Sequence, residues 1–262
     1  KRALTGQYVA SAVVGETAYA IGGFNGSLLG TAEAFTPGSV VTAFSADPNF
    51  KFLSDIATDG VSFYLSGGDF DGQGGFETDH EIFQLPVAAG GAARIFSGAF
   101  TANEVATDGT NVYWIDPNGD PDATAIFRKP IAGGTRDKIY SGFATGEPIV
   151  DGGGLAYAGS GVLVTADYVQ GRVHRMNATN PVSNLTQLGP TRYGGFFDRE
   201  HFNSVDVEGN TVFVADSGNA SFGDTPPRVQ SIPLAGGSFT DLYVGTLPDF
   251  SPHGITVEGG TI

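Results

Sequence analysis

The chain has 262 residues, 40 of them glycine and 14 proline, with 28 acidic and 13 basic side chains and a net charge of −15. That charge repels nucleic acid and anionic membrane, and favours cations, basic partners or plain solubility. No apolar run approaches the roughly 18 residues needed to span a bilayer, and the absence of cysteine removes disulfides and Cys-ligated zinc.

The chain opens Lys1-Arg2 and its one methionine is Met176. A removed signal peptide is the simplest cause, so an exported protein, extracellular or periplasmic, is expected. Strand and turn signals alternate throughout, which assigns the glycine to turns and leaves enough Phe, Val and Ile for a large core.

Arg2-Ala3-Leu4-Thr5-Gly6 reads as an outer strand with a closing glycine. A strand-turn-strand unit then recurs. Its turns are Val14-Gly15-Glu16, Thr58-Asp59-Gly60, Thr107-Asp108-Gly109, Gly159-Ser160-Gly161, Val207-Glu208-Gly209 and Val257-Glu258-Gly259, spaced roughly 45 to 52 residues, a propeller-blade period. Apolar strands follow the first five: Ala18–Ile21, Phe63–Leu65, Val112–Ile115, Val162–Val164 and Val212–Val214. The sixth copy reaches only Thr261-Ile262.

Third strands end in a proline and a Gly-Gly turn, as in Ile82–Ala88 with Gly90-Gly91, Ile126–Ala132 with Gly133-Gly134, and Val229–Ala235 with Gly236-Gly237. A missing N–H is tolerable there, near a blade's outer side. Fourth strands follow at Arg94–Gly98, Lys138–Gly142 and Asp241–Gly245.

The expected fold is all-β: one six-bladed β-propeller of four-stranded antiparallel blades. The blades fall at about 7–49, 50–101, 102–146, 147–190, 201–248, and 249–262 with 1–6. The last is shared by the two chain ends, so that no sheet edge stays open, and it is incomplete in this sequence. A five-bladed ring, a six-bladed ring whose last strands lie outside the sequence, and a partner chain completing the last blade are the alternatives.

Asp108-Gly109 with Val112-Tyr113-Trp114-Ile115-Asp116, and the Pro-apolar-Ala-x-Gly-Gly turn, resemble six-bladed propellers of the YWTD, NHL and TolB-like groups, as found in exported bacterial repeat proteins. The first blade, with Ile21-Gly22-Gly23, also looks Kelch-like. The resemblance covers nearly the whole chain. It implies a fold shared by receptor modules, scaffolds, lyases and lactonases, and so selects no activity.

In a four-stranded meander the 2–3 loops share one face with the inter-blade loops. Those loops read as long and acidic: 68–81, 116–122 and 216–224. Asp116, Asn118, Asp120 and Asp122 alternate as hard oxygen donors do in calcium loops, and Asp69 and Asp71 start a second such run. Calcium is the cofactor these loops would hold. The alternative is that Asp and Asn serve turn geometry. Pro121 and Phe127 replace the glycine and glutamate of an EF-hand loop. Arg94, Arg136 and Lys138 fall near the opposite, 3–4 turns.

A second candidate is the mouth of the central channel, where the first strands begin. Glu104, Asn203, Asp206 and His253, with Asp55 and Asn103 nearby, could hold a divalent metal whose water attacks a substrate, as in metal-dependent propeller hydrolases and lyases. Channel mouths are also polar simply because water fills them. No Gly-x-Ser-x-Gly elbow and no paired-histidine zinc motif is present, and Gly152-Gly153-Gly154 lacks the Lys-Ser/Thr of a phosphate loop. The insertion 194–202, with Phe196, Phe197 and Phe202, is either a binding surface or packing. The sequence therefore points to a non-catalytic exported module binding a protein or glycan, with a lactonase-like enzyme as the alternative.

Overall fold

A computed structural model of the chain describes residues 7–14, 17–24, 32–35, 42–44, 52–70, 76–87, 93–97, 102–120, 123–142, 152–168, 171–179, 185–191, 202–218, 226–245, 254–257 and 259. Every sheet among them has four strands. The first holds β1 (Gln7–Val14), β2 (Thr17–Phe24), β3 (Ala32–Phe35) and β4 (Thr42–Phe44). The second holds β5 (Phe52–Thr58), β6 (Ser62–Phe70), β7 (Phe76–Pro86) and β8 (Ala93–Ser97). The third holds β9 (Val105–Thr107), β10 (Asn111–Asp120), β11 (Ala123–Pro130) and β12 (Asp137–Ser141). The fourth holds β13 (Gly152–Tyr157), β14 (Val162–Asp167), β15 (Arg172–Asn177) and β16 (Thr186–Gln187). The fifth holds β17 (Phe202–Glu208), β18 (Thr211–Asp216), β19 (Arg228–Pro233) and β20 (Thr240–Val244).

In each sheet the spatial order follows the chain, the up-and-down meander of a propeller blade. The chain is thus all-β, with its sheets in a β-propeller arrangement. The described residues build five blades, not the six expected. Of the expected closing blade, 249–262 with 1–6, only Gly254–Val257 and Gly259 are described, and they form no strand. A strand needs a paired neighbour, and no described segment pairs with Gly254–Val257.

Two compact units divide the chain: Lys1–Tyr113 with Lys129–Thr135, and Trp114–Arg128 with Arg136–Ile262. In the first, β1 lies beside β5 and β5 beside β9, inner strand to inner strand. Tyr19 meets Phe63 edge-on, with ring centroids 4.7 Å apart. Ile56, Leu65, Ile82 and Val105 are also buried in this unit. In the second, β13 lies beside β17. Val164, Ala166, Val173, Phe202, Val205, Val212, Val214 and Ile232 form one core there.

Two expected loops are shorter than the sequence suggests. β6 continues to Phe70 and β7 starts at Phe76, pairing Gly67 with Glu81 and Gly68 with His80. β10 continues through Asp120, and β11 starts at Ala123. A hairpin ladder satisfies backbone groups as it lengthens, so polar and glycine residues join it rather than looping out.

The turns between first and second strands explain their recurring sequence. In Thr58-Asp59-Gly60-Val61-Ser62-Phe63-Tyr64, one Asp59 oxygen accepts the Val61 and Ser62 N–H groups at 2.9 and 2.7 Å. The Tyr64 hydroxyl donates to the other at 2.8 Å, and the Thr58 hydroxyl takes the Gly60 N–H at 3.0 Å. Thr107-Asp108-Gly109-Thr110-Asn111-Val112-Tyr113 repeats each contact, with Tyr113 donating to Asp108 at 2.7 Å. Partial burial pushes both carboxyls up, but the turn N–H groups and the tyrosine hydroxyl outweigh it and hold them below the ordinary value. Gly60 and Gly109 sit at φ of 84° and 77°, conformations a side chain resists.

Gly152-Gly153-Gly154 has a packing role. A Cβ on Gly153 would stand 1.6 Å from the Phe202 carbonyl oxygen, and one on Gly154 2.5 Å from the Val205 nitrogen. The run lets β13 press its backbone against β17. Gly153→Ala must push two inner strands apart and should cost ~3 kcal/mol or more. Urea unfolding of this variant checks it; a loss under about 1 kcal/mol would show that the two strands can separate freely.

Candidate functional site

The residues expected at the channel mouth lie on or just before inner strands, and their described contacts are with backbone. Asp55 on β5 accepts the Val105 N–H at 2.9 Å, and the Ser66 hydroxyl donates to the Asn103 carbonyl at 3.3 Å. Both contacts tie the second blade to the third within the first unit. A similar carboxylate contact occurs in the second unit, where each partner lies fifty-one residues from its side chain. Asp206 on β17 accepts the Val257 N–H at 2.7 Å, and the Ser204 hydroxyl takes the Ile255 N–H at 3.3 Å. Gly254–Val257 therefore meets β17 as β9 meets β5.

Asp206 also accepts the Val207 N–H on its other oxygen at 2.7 Å. Burial pushes its carboxyl up from the ordinary value, against the lowering by the Val257 and Val207 N–H groups and the Thr256 hydroxyl; Glu208 adds to the rise. Glu104 and Asn203 are half-buried, each with partners in its own surroundings. His253 lies outside the described residues. Among the described residues, no three His, Asp or Glu side chains come together as metal ligands would.

Of the expected calcium ligands, Asp116 is buried at the end of the apolar run of β10, not in a solvated loop. Asn118 and Asp120 lie further along β10, and Asp69 on β6. The side chains of Asn118, Asp120 and Asp69, and all of Asp71 and Asp122, lie outside the described residues. Phe202 of the aromatic insertion turns inward against Phe239, centroids 5.8 Å apart; Phe196 and Phe197 lie outside the described residues.

A recurring polar element went unread in the sequence. Asp116, Asp167 and Asp216 each follow the apolar run of a second strand, and all three are buried. Asp167 lies directly across from Arg172, and Asp216 from Arg228. One Asp216 oxygen accepts the Gly218 N–H at 2.8 Å, closing the strand end. Arg228 pairs with Asp241 at 2.9 Å, and Gln230 donates to the other Asp241 oxygen. The signal was present as Ile-Asp, Ala-Asp and Ala-Asp at one repeat position, but Asp116 and Asp216 read as the first of an acidic loop and Asp167 was passed over.

The outer parts of blades are tied by arginine. Arg128 donates to the Ala178 carbonyl at 3.2 Å, and Arg175 to the Leu234 carbonyl at 3.0 Å. At the 3–4 turn of the third blade, the Arg136 guanidinium stands 4.4 Å and the Lys138 ammonium 5.9 Å from the centroid of Phe127, which stacks on Trp114 at 5.6 Å.

No protein-family model and no curated protein matches the chain. The geometry assigns Asp55 and Asp206 a structural task, each accepting a backbone N–H from a segment about fifty residues further along the chain. Asp206→Ala strands two N–H groups and should cost ~1–3 kcal/mol. Asp206→Asn keeps one acceptor and should fall between it and the parent. Denaturant midpoints of the three proteins decide this; equal midpoints for Asp206→Ala and the parent would remove that task.

Proposed function

We propose that the chain is an exported, non-catalytic propeller module of the YWTD/NHL/TolB-like kind that binds a protein or glycan partner. The observation that carries this reading is the outer strand of the fifth blade. Leu242, Tyr243 and Val244 on β20 are 46%, 54% and 49% exposed, side by side on a sheet edge. At the same positions before the closing glycine of the third blade, Ile139 and Tyr140 are each 1% exposed. Contiguous apolar side chains on an open strand edge are a liability unless something covers them.

The sixth blade belongs to the same proposal, beginning at Gly254–Val257 on the pattern that starts the third. Calcium in the acidic segments does too, as a stabilising ion.

The lactonase-like alternative has one observation in its favour: the carboxyl of Asp206 is raised by burial, as those of site acids often are. Metal analysis of the purified, dialysed protein separates the readings. The binding module should retain no stoichiometric transition metal and hydrolyse no lactone. One equivalent of such a metal together with lactone hydrolysis, both lost in Glu104→Ala, would replace it with the enzyme.

A further inference from the structure

The fourth and fifth blades solve one packing problem in two ways. In the fifth, Gln230 follows Arg228 by two residues, faces Asp241 across the sheet and donates to it. In the fourth, His174 follows Arg172 by two residues and faces Gln187. Gln187 turns its amide away, to the Gly189 carbonyl at 2.6 Å and the Thr191 hydroxyl at 3.1 Å. His174 is 4% exposed and its buried Nδ1 has no hydrogen-bond partner. The fold does not demand histidine here, since glutamine fills the equivalent place.

The surroundings of His174 tolerate it neutral and oppose its charge. Across the sheet on β14 stands Thr165, which is uncharged. β16 contributes Thr186 and Gln187, also uncharged. Arg172 shares the strand face, and Asp167 stands across from Arg172 rather than from the imidazole. From the third blade, Arg128 reaches the Ala178 carbonyl at the far end of β15. No carboxylate takes the place that Asp241 holds in the fifth blade.

We infer that His174 is an acid-sensitive latch: on mild acidification it takes up a proton, and the β15–β16 edge of the fourth blade opens while the fifth blade stays shut. Burial, with the charge of Arg172 beside it, holds the imidazole down at about 4. Free histidine titrates near 6.5. The lowered group favours the folded blade fully above about 6.5, and that advantage is lost as pH falls toward 4.

Hydrogen exchange of the whole chain between pH 7 and pH 5 tests this, a range in which ordinary carboxylates stay ionised. After correction for intrinsic rates, protection of β15 amides should fall on the order of 20-fold, and that of β19 amides should not. His174→Gln, which installs the residue of the fifth blade, should abolish the difference. Equal pH dependence of β15 and β19 in the parent, or an undiminished fall in the variant, would overturn the latch. Should the variant fail to fold, NMR titration of the parent imidazole decides: a midpoint below pH 5 supports the latch, and one near 6.5 ends it.

Discussion

Among the described residues no strand ladder joins one blade to the next. Apart from isolated bonds such as the Gly237 N–H to the Leu188 carbonyl at 2.7 Å, backbone groups facing a neighbour meet side chains instead. Asp55 and Asp206 supply such contacts on inner strands, Asp55 accepting an N–H from the first strand of the third blade and Asp206 one from Gly254–Val257. Arg128 and Arg175 supply them further out, each donating to a carbonyl of the next blade. The two chemistries are complementary: a carboxylate can only accept and a guanidinium can only donate.

Magnitudes separate what drives the assembly from what fixes it. Burying a side chain such as Phe202 contributes about 1.5–3 kcal/mol, and the second unit buries many of them in one core. A made hydrogen bond adds only about 0.5–1.5 kcal/mol net, whereas a buried group left without one costs about 1–3. Apolar burial thus supplies most of the stability, and the side-chain ties select the register at which blades meet. The glycine run of β13 belongs to the selecting side. It contributes no burial of its own and sets how near β17 can come.

What was legible in the sequence was local. Thr-Asp-Gly followed four residues later by Tyr marks a turn because all of its bonds close within seven residues, and both copies do so with the same partners. Blade size and meander order follow from that period. Blade number is set by how many sheets fit around an axis, a long-range property that no local run encodes, and five rather than six stand among the described residues. Asp206 looked like chemistry for a related reason: a carboxylate at an inner strand reads alike whether it meets a metal or the N–H of Val257, fifty-one residues away. Acidic residues after a second strand's apolar run suggested solvent, but Asp116 and Asp216 are buried within their strands.

Repetition also lets one blade act as the control for another. The third and fifth blades share the third-strand proline and Gly-Gly turn, but part company just beyond it. Where the third places Arg136 over Phe127, the fifth places Phe239 against Phe202. Both choices cover an aromatic ring, one with a long cation whose charge stays wet and the other with a second ring. The basic character of that turn is thus partly a packing solution, and its sign alone is weak ground for assigning a partner. Exposed Leu242 and Tyr243 carry more weight, because the same frame buries Ile139 and Tyr140 at the corresponding places. A departure from the repeat that leaves apolar side chains exposed among the described residues is not explained by the packing of its own blade.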